Sequence, residues 1–154
     1  MLEVQPKDRR GYCMLPQRPL EAAYYTYGTP GRGAGQYAHP KLLSLLFLVE
    51  GQWQGMDKRS IGFGNISLAG GAKFDPHEGR QTGLDIDVRP LRKDGAEESV
   101  AWWDAQYDHD ATEKLISLFL EYSMVKVIFF NDKEIPRVVK RIHHDNHFHV
   151  TVKG

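Results

Sequence analysis

The 154 residues contain one cysteine, Cys13, so neither an internal disulfide nor a cluster of thiolate ligands can form, and any metal must be held by nitrogen and oxygen. An excess of either charge is also missing. Twenty Lys and Arg balance twenty Asp and Glu, which leaves no overall field to draw nucleic acid or an anionic membrane. No apolar run is long enough to span a bilayer, and residues 1–8 have neither the basic nor the apolar region of a standard export signal. Internal repeats and low-complexity tracts are absent as well. The length suits a single domain, 1–154, with its own core.

Proline, glycine and tyrosine are concentrated at the start. Pro6, Pro16, Pro19 and Pro30 alternate with Gly28, Gly31, Gly33 and Gly35, and Tyr24, Tyr25, Tyr27 and Tyr37 lie among them. The backbone is punctuated too often for long elements, while the rings offer apolar area, so residues 1–39 read as an ordered arm wrapped on the core. Pro40 then opens a helix carrying Leu42, Leu43, Leu45, Leu46, Phe47 and Val49, with Gly51 expected as its stop. A second helix follows Asp108 or Asp110 as N-cap and ends near Ser123. Strands are expected at 61–68, 84–90, 125–130 and toward the end of 142–153. The order predicts an α+β fold, a small, mainly antiparallel sheet flanked by helices on one side.

Two strands carry the chemistry. In 84–90, Leu84, Ile86 and Val88 take one face and Asp85, Asp87 and Arg89 the other. Four of the seven histidines lie in 142–149, and the alternation of Phe148, Val150 and Val152 with His147, His149 and Thr151 sends two imidazoles to one face. Taken alone, each pattern also fits a solvated polar face. Hydrolytic zinc sites use three protein ligands and a water, so a carboxylate strand beside an imidazole strand suggests Asp87 and His149 as ligands. His147 is then the general acid/base, with His144 placed to orient it. Trp102 and Trp103 begin a loop that packs aromatics near this site.

Three segments, Gly64-Asn65-Ile66-Ser67-Leu68-Ala69-Gly70-Gly71, Gln81-Thr82-Gly83-Leu84-Asp85-Ile86-Asp87 and His144-Asp145-Asn146-His147-Phe148-His149, together resemble the penicillin-insensitive murein endopeptidases. These belong to the wider metallopeptidase superfamily of lysostaphin-type and D-Ala-D-Ala peptidases. Weaker similarity at 35–40 extends the resemblance over most of the chain. It implies a zinc ion, peptidoglycan cross-link peptides as substrate, Asp87 and His149 as ligands, and His147 as the catalytic histidine of the HxH pair. One position departs from the pattern. The family's first ligand is a histidine seven residues before the aspartate, where this chain has Arg80, and a guanidinium has no lone pair to give.

Three outcomes follow from that departure: another third ligand, weak metal binding, or loss of hydrolysis. His77 is the nearest substitute, with Gly79 to let the loop bend. Arg80 would grip a substrate carboxylate, and Asp85 would position either group. The sequence thus predicts a zinc peptidase, endopeptidase or carboxypeptidase, acting on peptidoglycan. The alternative is a catalytically impaired relative that binds peptidoglycan or a partner protein through the same groove. A cell-wall substrate lies in the periplasm or outside the cell, so delivery by lysis, by a dedicated secretion system or by a leader beyond this sequence is expected. An antibacterial effector would come with an immunity protein.

Overall fold

A computed structural model describes residues 4–76 and 80–154. His39 starts the first helix, α1 (Pro40–Gln54), its Nδ1 accepting from Lys41 N at 3.0 Å, and Pro40 takes the first turn, where a missing N–H costs nothing. The helix does not stop at Gly51 but runs on to a C-cap at Gly55. The reason lies one turn later. Trp53 is buried and its indole donates to Arg59 O at 2.7 Å, so the core holds the last turn in place against a glycine penalty of about 1 kcal/mol. Helix α1 is also less enclosed than its apolar sequence suggests, since Phe47 and Leu48 remain exposed. In α2 (His109–Leu120) the cap is Asp108, which accepts from Ala111 N at 3.0 Å.

Seven strands accompany the helices among the described residues. They are β1 (Cys13–Met14), β2 (Tyr24–Thr26), β3 (Tyr37–Ala38), β4 (Ile61–Phe63), β5 (Asp85–Val88), β6 (Val125–Phe129) and β7 (Phe148–Val152). Strands β1 and β3 pair by themselves, and the main sheet has the order β2-β4-β5-β7-β6. Every pairing in it is antiparallel except β2 with β4. The fold is therefore α+β with a mostly antiparallel sheet. Tyr24–Thr26 contributes β2 to that sheet, and Leu15, Tyr24 and Ala38 join the core. The strand expected at 61–68 is regular only over its first three residues, after which the buried chain keeps two backbone hydrogen bonds with Asp87, from Gly64 N to Asp87 O and from Asp87 N to Asn65 O.

Alternation sorts the sheet into two faces. Ile61, Phe63, Ile86, Val88, Ile128, Phe148, Val150 and Val152 are fully or almost fully buried, and they share one core with Leu42, Leu45, Leu46 and Val49 of α1 and Leu115, Ile116 and Phe119 of α2. The opposite face carries Asp85, Asp87, Arg89, His149 and Thr151. The register of β5 with β7 sets Asp87 opposite His149 and Asp85 opposite Thr151. Among the described residues, no helix is long and apolar enough to cross a membrane.

Candidate functional site

The two chemistry-bearing strands are neighbours at the middle of the sheet, so the residues singled out in each meet. His149 Nε2 lies 2.9 Å from Asp85 Oδ1, which also accepts from Thr151 Oγ1 at 2.7 Å. His147 Nε2 and His149 Nδ1 each lie 3.5 Å from Asp87 Oδ1. His144 packs beside both, with ring centroids 5.0 Å from His147 and 5.8 Å from His149, while its own Nδ1 faces Ile142 O at 2.8 Å. It therefore holds the His147 ring by packing.

Arg80 stands at the centre of this group. It is 4 % exposed, it donates from Nη1 to Asn65 O at 2.6 Å, and its Nη2 is hydrogen-bonded to Asp87 Oδ1 and lies 3.0 Å from His149 Nδ1. A proton on His149 Nε2 satisfies both sides of that ring, donating to Asp85 while Nδ1 accepts from Arg80. The guanidinium thus turns its Nη1 and Nη2 inward, to Asn65, Asp87 and His149. Asp85 contacts His149 from the far side of the ring.

Burial and charge tune these groups. Burial by itself would raise Asp87, but its close contact with His149 and the Arg80 charge outweigh it and hold the carboxyl well below its ordinary range. Asp85 is lowered too, its bonds to His149 and Thr151 overcoming burial. His147 falls to about 4 because burial outweighs the attraction of Asp87, so its ring is neutral near pH 7. Burial also lowers His144. His149 is raised, since its contacts with Asp85 and Asp87 overcome burial and the opposing Arg80 charge.

A zinc ion needs lone pairs converging on one point from Asp87 and His149, and that point is taken by Nη2 of Arg80. As arranged, the residues do not fit a metal there: the nearest group to both ligands is itself a cation that donates to them. His77, expected as the third ligand, lies outside the described residues. Another group could hold a metal ion. The ligand atoms of His109, Asp110 and Glu113, at the start of α2, lie within 4.8 Å of one another. His109 Nδ1 is 2.7 Å from the buried Asp132, which also accepts from Tyr107 OH at 2.5 Å.

Three supports of the site were not foreseen from the sequence. Tyr25 and Tyr27 of the arm lie over β4 because Gly62 and Gly64 carry no side chain there. A Cβ on Gly64 would come within 2.6 Å of the Tyr27 ring. The Arg89 guanidinium caps that ring at 3.9 Å, and burial pushes the Tyr27 hydroxyl above its ordinary pKa. Alternate glycines in a strand were the available signal.

The second support is the arm's Asp8–Arg10 pair. Asp8 accepts from Gly70 N at 2.8 Å, and Arg10 reaches Ser67 Oγ at 3.0 Å, Leu68 O at 3.1 Å and Gln81 O at 2.6 Å. Both ends of the loop that carries Arg80 are clasped in this way. The third is Asp145. It takes hydrogen bonds at 3.0 Å from Trp102 N to its carbonyl and from Trp102 Nε1 and Asn131 Nδ2 to its carboxylate, which pins the tryptophan loop to the histidine segment.

In comparison with known proteins, no family model matches the chain, and no curated protein matches it.

Proposed function

We propose that the polar face of the sheet binds the cross-link peptides of peptidoglycan, and that it does so without metal-dependent hydrolysis. The observation that carries this reading is the Arg80 guanidinium bonded to both Asp87 and His149, the two residues a hydrolytic zinc would need. The ligand class comes from the motif resemblance. What supports using it is that the three resembling segments, far apart in sequence, meet on one polar face of the sheet. Asn65 accepts from Arg80, Asp87 pairs with His149, and His144 packs on His147. Exposed Asn146 and half-buried His147, joined to each other at 3.0 Å, lie at the edge of this face and offer hydrogen-bond partners to peptide amides and carboxylates. Such a ligand lies outside the cytoplasm.

Binding is tested by co-sedimentation with purified peptidoglycan and calorimetry with cross-link peptides, in chelator and in zinc. Chelator-independent binding with no peptide release is expected. Peptide release that chelator abolishes and zinc restores would replace this reading with hydrolysis.

Hydrolysis is the second reading, and one geometric fact favours it. His147 and His149 both stand 3.5 Å from the same Asp87 oxygen, a grouping that would remain if Arg80 withdrew. In that case the chain is a zinc peptidase, endopeptidase or carboxypeptidase, with Asp87, His149 and His77 as ligands and His147 as acid/base.

A further inference from the structure

We propose that Trp103 is a stacking platform for the sugar rings of a glycan strand, an inference that rests on reading the polar face as a peptidoglycan site. Trp103 is 61 % exposed. Its support is rigid. The turn beneath it is closed twice, by Asp104 N donating to Ala101 O at 3.0 Å and by Ala101 N donating to the Asp104 carboxylate at 2.8 Å. Trp102 buttresses the indole edge-on, with centroids 5.4 Å apart and planes at 82°, and is itself pinned to Asp145 through both its backbone and its ring nitrogen. Asp145 lies between His144 and His147, so the exposed ring is fixed to the segment at the edge of that face.

The surroundings select the ligand. An apolar peptide side chain is best held in a concave pocket with apolar walls. Beside Trp103 the chain neighbours Asp104, Ala105 and Gln106 are all exposed, as is Asn146 next to Asp145, so the residues flanking the ring in sequence supply no buried apolar wall. An exposed flat indole flanked in the chain by Asp104 and Gln106 is complementary to a pyranose, whose C–H face is apolar and whose rim carries hydroxyl and acetamido groups. The peptide would occupy the histidine face while the sugar to which it is attached lies on Trp103.

The test uses the full chain, calorimetry and intrinsic tryptophan fluorescence, with two separated ligands: peptide-free oligosaccharides of alternating N-acetylglucosamine and N-acetylmuramic acid, and sugar-free cross-link peptides. Trp103→Ala should weaken oligosaccharide binding about tenfold or more, the scale of one aromatic stacking contact, and leave peptide binding within about twofold. Trp103→Phe should restore most of the loss. Because the ring is largely exposed, thermal unfolding of both variants should match the parent. Oligosaccharide affinity that is absent in the parent, unchanged in Trp103→Ala, or lost together with peptide affinity overturns the proposal. Failure of the peptide alone to bind the parent would instead bring down the reading of the polar face, while Trp103-dependent sugar binding would stand.

Discussion

Replacing Arg80 by methionine removes the guanidinium and keeps much of its apolar stem. Asp87, 7 % exposed, would lose its nearest cation, and Asn65 O its 2.6 Å donor. Stranding one partner of a buried ion pair costs about 3–5 kcal/mol, against a total stability of about 5–15 kcal/mol for an ordinary domain. With a urea dependence of about 2 kcal/mol per molar, the unfolding midpoint at pH 7 should fall by about 2 M. The parent draws stability from the depressed Asp87 carboxyl above the unfolded value of about 3.9, and loses it as the pH falls toward the folded value. In the variant the unpaired carboxylate gains by protonation, so the gap between the two proteins should narrow on acidification. A midpoint shift below about 0.5 M, or a gap that widens in acid, would refute the assignment of Arg80 as the internal cation. A histidine at the same position offers a lone pair instead of a charge. Arg80→His should therefore take up zinc and be stabilised by about 2.7 kcal/mol at a hundredfold excess over its dissociation constant, a gain that Asp87→Asn in the same background removes. An equal, Asp87-dependent gain in the parent would show that Arg80 does not exclude the ion.

Other perturbations probe the supports. Gly64→Ala drives a methyl into the rigid Tyr27 ring and should cost about 1–3 kcal/mol, read as a lower melting temperature; an unchanged value would mean that Tyr27 does not lie there. Asp8, held down at about 2 chiefly by its bonds to Arg10 and Gly70 against burial, contributes stability above pH 4 that is lost as pH falls through 2. Asp8→Asn should erase that acid dependence and increase proteolysis at residues 69–82, whereas an intact loop in the variant would deny the clasp. His109→Ala should abolish any divalent ion bound at the start of α2 without changing peptide binding, as equilibrium dialysis and calorimetry on one sample would tell. His147→Ala should weaken cross-link peptide binding by about tenfold with little loss of stability, its side chain being 24 % exposed; full affinity would remove it from the binding face.

Strands β5 and β7 were legible because each carries period-two alternation over its whole length, and placing Asp85, Asp87, His147 and His149 on one face needs only that period. Their adjacency was inferred from the ligand set that a hydrolytic metal site needs, and the β5–β7 pairing sets Asp87 opposite His149. What Arg80 does was not legible. Sequence gives its type and its distance from Asp87, but a guanidinium on a loop can point outward to a ligand or inward, and only the position of Asn65 O and His149 Nδ1 decides. The same holds for Asp8 and Arg10, whose partners lie 57 to 71 residues away and carry no local pattern. Gly51 misled for the opposite reason: helix propensity is local, and the burial of Trp53 that overrides it is not.

The strand order has a consequence for how the protein reaches this state. β7 is the last of the described strands in sequence yet sits between β5 and β6, so it supplies backbone partners to both. Until it inserts, β5 has one bare edge, β6 has no neighbour in the sheet, and the imidazoles are absent from the face that holds the carboxylates. Assembly of the His149–Asp87 face and protection against edge-to-edge aggregation therefore both depend on the docking of β7, and any lesion that weakens that docking would break up the face and expose the central edge together.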